Sequence, residues 1–228
     1  MQKNQGTTQE FDTPAPISAV LDIPAGRVQF IAADRGDTTV EILPADAAKS
    51  RDVKAAERIQ VSYADGVLRI ETPAPTHPML GHSGSVDVTV QLPAGSHVEA
   101  KAASAELRGV GRLGDVTLDS AHGTIKLDEA ASARLTLQAG DVSVGRLTGP
   151  GELSTQKGDL RITEAVRGTL TLNTQHGDIT VGAAPTASAS LDAGTAYGRI
   201  RNTLKNTGTP DLNIRATTAY GNITARSL

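Results

Sequence analysis

Gly140-Asp141-Val142-Ser143-Val144 is the phrase that decides the fold of this chain, because it returns as Gly158-Asp159-Leu160-Arg161-Ile162 and as Gly177-Asp178-Ile179-Thr180-Val181. Weaker copies begin at Ala105, Gly123, Gly198 and Gly221, so successive first positions are 18, 17, 18, 19, 21 and 23 residues apart. A nearly fixed period of this length is typical of a solenoid, in which each unit buries its apolar side only by stacking on its neighbours.

One repeat, Thr169–Val181, shows what each unit encodes. Leu170 and Leu172 alternate with polar residues, and Ile179 and Val181 do so again after an intervening turn. Period-2 alternation predicts strands with one buried and one exposed face. Each unit is therefore predicted to be two short strands joined at a glycine, which reaches positive φ without steric cost.

The regularity of the repeat favours a solenoid over a β-sandwich. A sandwich also has many short strands, but it does not require the same residue type at the same place in each unit. The chain has two Phe, three Tyr and no Trp, as expected if columns of Leu, Ile and Val fill a thin core. We predict an all-β protein: a β-solenoid of stacked rungs, with a sandwich as the alternative.

The predicted organisation has three parts. Residues 1–10 are expected to be a disordered tail, residues 11–101 a less regular N-terminal β region, and residues 102–228 the regular solenoid. The middle part fits either irregular rungs of the same coil or a separate cap. Pro44–Glu57 is expected to be a short helix or a loop, and Thr72–Ser85, rich in Pro and Gly, a loop.

Composition excludes several functional classes. The net charge is −3 without a basic run, which argues against nucleic-acid binding. The chain has no Cys, so a disulfide framework and a zinc–cysteine site are excluded. No apolar run is long enough to span a membrane, and the polar start lacks a secretory signal. With Met1 as the native start, the sequence predicts a cytoplasmic protein.

The serial Gly-Asp-[Val/Leu/Ile]-x-[Val/Ile] phrases, together with strands that end in Pro-Ala-Gly, resemble the bacterial DUF4097 family of "putative adhesin" proteins. The matching phrases begin at Gly140, Gly158 and Gly177, and the pattern extends over roughly Ala19 to Ala225. The resemblance implies a β-solenoid without an assigned biochemical activity. It supplies no catalytic residues.

Two ladders of equivalent residues are predicted to form the turns: Gly123, Gly140, Gly158, Gly177, Gly198 and Gly221, and beside them Asp141, Asp159 and Asp178. Aspartate in a turn bonds to nearby backbone groups. Stacked carboxylates would also suit Ca²⁺, but neighbouring repeats carry Thr124 and Arg199 there. We therefore predict a structural ladder, no metal site and no cofactor.

The residues just before the ladder glycines form a candidate binding face, made of His122, Lys157, His176, Tyr197 and Tyr220. Stacked tyrosines could present a platform for a sugar or a protein partner. They could equally pack on each other at the end of the stack.

The predicted function is a non-enzymatic scaffold or interaction module. The alternative is a polysaccharide-binding or polysaccharide-cleaving β-helix, which would use exposed Asp, Lys and Arg side chains, here Asp159, Asp178, Lys157, Arg161 and Arg199. No nucleophile elbow, P-loop or dinucleotide fingerprint is present.

The last repeat, Leu212–Ala225, is expected to end the stack as an open edge, so self-association through the solenoid ends or binding of a protein partner is expected.

Overall fold

A computed structural model describes residues 7–73 and 84–228. Over these residues the chain forms seventeen strands of one hydrogen-bonded sheet and one helix. In chain order they are β1 (Thr7–Asp12), β2 (Ser18–Ala33), β3 (Asp37–Pro44), α1 (Ser50–Arg58), β4 (Gln60–Ala64), β5 (Val67–Glu71), β6 (Val86–Pro93), β7 (His97–His122), β8 (Ile125–Ala139), β9 (Val142–Leu147), β10 (Gly151–Lys157), β11 (Leu160–Ala165), β12 (Gly168–His176), β13 (Ile179–Ala183), β14 (Ala189–Tyr197), β15 (Ile200–Thr203), β16 (Leu212–Tyr220) and β17 (Ile223–Ser227).

Equivalent residues of successive repeats stack in register, which confirms the predicted β-solenoid. Val142 of β9 pairs with Leu160 of β11, which pairs in turn with Ile179 of β13, and all three strands are parallel. On the other side of the coil β8, β10 and β12 pair in the same way. Val142, Leu160 and Ile179 are each at most 1% exposed. Burying each such side chain contributes about 1.5–3 kcal/mol, and only the neighbouring rungs provide that burial.

The order of the last rungs in space differs from their order in sequence. Strand β16 lies between β12 and β14, and β17 lies between β13 and β15. The expectation that Leu212–Ala225 ends the stack is therefore wrong: the outermost rung is β14–β15. The connections 184–188 and 204–211 are long enough for the chain to skip one rung and return to fill it. These two connections account for the longer repeat steps of 21 and 23 residues in the sequence.

The N-terminal region continues the stack. The second half of β2 pairs in parallel with β7 and with β6, and Gly26 occupies the same corner position as Ala105. Three further pairings are antiparallel: β6 with β3, β3 with β1, and β4 with β5. The division of the chain at residue 101 stays a prediction.

Two expectations for this region need correction or completion. Residues 7–10 are not part of a tail, because Thr7–Asp12 pairs along its length with β3 and Phe11 packs against Tyr63; residues 1–6 lie outside the described part. The segment Pro44–Glu57, expected to be a helix or a loop, forms all of α1 except its last residue, and the buried Asp52 of this helix accepts a hydrogen bond from the backbone N–H of Ser85 at 3.0 Å. Most of the predicted loop Thr72–Ser85 also lies outside the described residues.

Within the described ranges, no helix is long and apolar enough to cross a membrane.

Candidate functional site

The ladder glycines line one corner of the coil. Their order in space is Gly123, Gly140, Gly158, Gly177, Gly221 and Gly198. A Cβ on any of them would overlap the carbonyl oxygen of the preceding rung, and all but Gly198 have φ between +135° and +156°. Glycine is needed here both for the backbone conformation and for the close approach of neighbouring rungs.

The aspartates beside these glycines bind the backbone of the next rung. The Oδ1 atom of Asp141 accepts a hydrogen bond from the N–H of Asp159 at 2.8 Å, and Asp159 accepts one from Asp178 in the same way. Asp178 then accepts from the N–H of Asn222, and Asn222 from the N–H of Arg199. The side-chain oxygens thus accept hydrogen bonds from backbone N–H groups that lie at the corner and are not used in pairing between strands. The described residues hold no cluster of three or more side chains suited to a metal ion.

A threonine ladder on the inner side of the corner, buried except at the half-buried Thr195, was not predicted. Thr174, Thr218 and Thr195 each donate a hydrogen bond to a glycine carbonyl of the adjacent rung, over 3.0–3.1 Å. Thr155 makes a longer contact of the same kind. The signal was present in the sequence, because each threonine stands three residues before a ladder glycine.

Three residues of the candidate binding face form a stack of rings, here called the ring column: His176, Tyr220 and Tyr197. The centroids of His176 and Tyr220 are 5.0 Å apart with planes at 9°, and those of Tyr220 and Tyr197 are 4.9 Å apart with planes at 3°. This spacing is that of neighbouring strands. The column forms because these residues are in register on β12, β16 and β14.

The other two residues of that face lie farther along the same corner. Lys157 is the register neighbour of His176, so it continues the column by one rung. Ala139 separates Lys157 from His122, so His122 is not part of a continuous ring surface.

The ring column is exposed, with Tyr197 68% and Tyr220 51% accessible. Because the rings cover one another's faces, the column offers solvent a row of ring edges and, at Tyr197, the outer face of the last ring. Such a surface can stack on a sugar or on an aromatic or guanidinium side chain.

Two shallow grooves lie on the faces of the sheet among the described residues. One, of about 300 Å³, is lined by charged residues of both signs, among them Arg27, Asp87, Glu106, Arg108 and Lys126. Another, of about 400 Å³, is lined by Asp115, Ser132, Arg134, Glu152 and several threonines. Both grooves are open to solvent.

The residues suggested for polysaccharide cleavage lie at and beside the glycine corner, outside both grooves. Asp159 and Asp178 use one carboxylate oxygen each for the backbone ladder. Lys157 and Arg161 lie exposed on either side of the corner of one rung, and Arg199 lies exposed three rungs away. The structure does not bring these side chains together around an enclosed cleft.

A second polar cluster joins Ser132, Asp115 and His97. The Ser132 hydroxyl donates to Asp115 Oδ1 at 2.6 Å, and Asp115 Oδ2 lies 3.4 Å from His97 Nδ1. His97 Nδ1 also accepts the N–H of Asp115 at 3.1 Å. In a catalytic triad the histidine lies between the serine and the carboxylate, whereas here the carboxylate lies between the other two. The cluster is therefore a surface hydrogen-bond network.

Comparison with protein families finds a family model that matches this chain. The family model described as Toastrack DUF4097 matches residues 81–226, more than half of the chain. No curated protein is detectably similar.

Solved structures similar to this chain match it along nearly its whole length. A "putative adhesin" from Bacteroides fragilis NCTC 9343 is 16% identical, with 98% of each chain covered and a TM-score of 0.48. A "Putative lipid binding protein" from Parabacteroides distasonis ATCC 8503 is 12% identical, with 97% of each chain covered and a TM-score of 0.46. A "putative cell adhesion protein" from Clostridium sporogenes ATCC 15579 is 11% identical, covering 98% of this chain and 100% of that one, with a TM-score of 0.37.

Proposed function

This chain belongs to the Toastrack DUF4097 family, and we propose that it acts as a non-enzymatic β-solenoid scaffold that binds a partner through the ring column. The observation that carries this proposal is the exposed stack of the nearly parallel rings of His176, Tyr220 and Tyr197. The chain has only five Phe and Tyr residues, and two of them lie in this stack. Exposed tyrosines that are already ordered lose little conformational entropy on binding, which favours recognition.

The proposed partner is a protein segment with aromatic or arginine side chains. The outer face of Tyr197 can receive a planar group, the ring edges flank the column, and Lys157 adds a positive charge at the opposite end, next to His176. A scaffold role also agrees with the surroundings, since the grooves are shallow and the ladder aspartates stabilise the coil. An enzyme would instead need polar groups that converge in a pocket.

Tyrosine fluorescence tests the proposal. The chain has no Trp, and its three tyrosines are Tyr63, Tyr197 and Tyr220. In a Tyr63→Phe variant, emission therefore reports only on the ring column. Titration with peptides rich in phenylalanine and arginine should change this emission saturably, and Tyr197→Ala in the same background should weaken binding. Emission that stays constant with these peptides contradicts the proposal.

Saccharide binding is the second candidate, because the free face of Tyr197 also suits a sugar ring. Neutral and acidic oligosaccharides, titrated into the same Tyr63→Phe variant, distinguish the two. A saturable response to sugars but not to peptides would assign the column to carbohydrate. Release of new reducing ends from those sugars would show a polysaccharide-cleaving enzyme and would contradict the non-enzymatic role.

A further inference from the structure

The sheet has two open ends. Among the described strands, β1 pairs only with β3 and β4 only with β5, at the N-terminal end of the stack. At the other end, β14 pairs only with β16 and β15 only with β17. Each of these four strands therefore presents a row of backbone N–H and C=O groups without a strand partner.

The outermost rung leaves core positions uncovered. Ile200 of β15 belongs to the same column as Ile223 of β17, yet Ile200 is 45% exposed and Ile223 only 1%. Leu191 and Ala193 of β14 are half-buried at positions that are buried in the next rung. A further rung placed on this end would cover all three side chains.

The N-terminal end of the stack also has apolar side chains that are incompletely covered. Phe11 of β1 and Val61 and Tyr63 of β4 point toward the core but are only half-buried. The Phe11 and Tyr63 rings lie 5.5 Å apart at a tilt of 44°, so they partly close this end. This apolar surface is available to a second rung as well.

Strand direction is suitable for parallel pairing of the two ends on the β15 side of the coil; on the other side β4 is antiparallel to β5 and would meet β14 in the antiparallel sense. Strand β1 is antiparallel to β3, and β3 is antiparallel to β6, so β1 runs in the direction of β6. From β6 to β15 all pairings on this side of the coil are parallel. Strand β15 of one copy can therefore pair in parallel with β1 of the next, as the interior rungs do.

The charges of the two edges are opposite. Strand β1 carries exposed Glu10 and Asp12 and no cation, whereas residues 199–203 carry exposed Arg199 and Arg201 and no anion. The nearby Arg35 bonds to Asp37 and to Gln91 and also interacts electrostatically with Glu10, so it offsets only part of the negative charge of β1. The same contact lowers the pKa of Asp37, mainly through the Arg35 hydrogen bond. Joining two C-terminal ends would instead oppose the arginines of both copies.

We propose that the open C-terminal end, formed by β14 and β15, binds the N-terminal end of a second copy of this chain, head to tail. Such a contact is heterologous, and because the two edges lie at opposite ends of the stack, each added copy extends the stack into a filament. The contact covers the open edge of β14, which carries Tyr197, so a second copy at this end and a partner on the outer face of Tyr197 would compete for the same surface. Because attraction between the acidic edge and the basic edge contributes to the contact, added salt should screen that attraction and weaken assembly.

Sedimentation velocity of the full chain at low salt, over about a hundredfold concentration range, tests this proposal. The average mass should rise with concentration and continue beyond a dimer. Arg201→Glu and Glu10→Lys should each weaken assembly roughly tenfold, and the double variant should recover it. Ile200→Lys, at an exposed position, should weaken assembly while the far-UV circular dichroism and melting temperature stay unchanged.

Two results would overturn the proposal. The first is a monomer at every concentration. The second is a dimer that Arg201→Glu strengthens and Glu10→Lys leaves unchanged, because it would show that two C-terminal ends meet.

Discussion

Tyr220 stacks face to face on Tyr197, with ring centroids 4.9 Å apart and ring planes within 3° of parallel. The two tyrosines occupy the same position in adjacent rungs, although the later one in the sequence lies deeper in the stack. Tyr220 consequently has a ring on each of its faces, His176 on one side and Tyr197 on the other. The ring column is thus a direct product of the inserted rung.

Removing the central ring should cost more than removing the outer one. Tyr220→Ala breaks two ring contacts and should lower the free energy of unfolding by about 1–3 kcal/mol, whereas Tyr197→Ala breaks one and should cost about 0.5–1.5 kcal/mol. Urea denaturation of both variants measures the difference. Equal effects of the two substitutions would show that the stack does not contribute to stability.

Glycine is required at the corner but not in the outer strand. Gly177→Ala places a Cβ against the carbonyl oxygen of Gly158 at a φ of +153°, and we expect a loss of roughly 3 kcal/mol or more of stability. Gly194→Ala is the matched control, since nothing lies within 4 Å of its added Cβ.

Thermal denaturation should show a large fall in melting temperature for Gly177→Ala and little change for Gly194→Ala. Comparable melting temperatures for the two variants would contradict the close stacking of corners.

The aspartate ladder acts through its oxygen acceptor rather than its charge. Asp159→Asn keeps an Oδ1 acceptor for the N–H of Asp178 and removes one of three neighbouring negative charges, so stability should stay equal or rise slightly. Asp159→Ala leaves that N–H without its partner and should cost about 1–2 kcal/mol. Chemical denaturation at neutral pH separates the two variants. An Asn variant as unstable as the Ala variant would assign the role to the charge.

The buried threonines should matter more than the exposed ones. Thr174→Val keeps the shape of the side chain but removes the hydrogen bond to the Gly158 carbonyl, at a cost of about 1 kcal/mol. Thr171, on the outward face of the same strand, provides the control substitution Thr171→Val, for which we expect less than about 0.5 kcal/mol. The two free energies of unfolding, measured side by side, check the expectation; a larger cost at Thr171 would contradict it.

The sequence predicts the coil itself because each rung repeats the same chemistry. Val142, Leu160 and Ile179 alternate with polar residues at a constant period, and stacking is the arrangement that buries all of them together. The corner glycines follow from the same repeat. The threonine ladder was equally visible in the sequence, but a threonine on its own suits an exposed strand face as well as a buried corner.

The order of the rungs could not be predicted in the same way. Residues 195–198 and 218–221 are both Thr-Ala-Tyr-Gly, so the two last rungs offer nearly identical surfaces to β12. Local chemistry does not distinguish them, and the choice rests on how the connections 184–188 and 204–211 run. The antiparallel pairing of β3 with β6 could not be predicted either. The two strands are distant in the chain, and their apolar and polar residues alternate as in any other strand.

Engineered disulfides test most directly whether alike residues stack one coil apart with the last rung inserted. Arg215 is the register neighbour of both Thr171 and Asp192, which places Thr171 and Asp192 two strand spacings, or about 9.6 Å, apart. The chain has no native Cys, so each double variant can form only the designed intramolecular bond. Thr171→Cys with Arg215→Cys should oxidise readily, whereas Thr171→Cys with Asp192→Cys should stay reduced, because a disulfide cannot bridge Cα atoms more than about 7 Å apart. A disulfide between positions 171 and 192, with none between 171 and 215, would contradict the account.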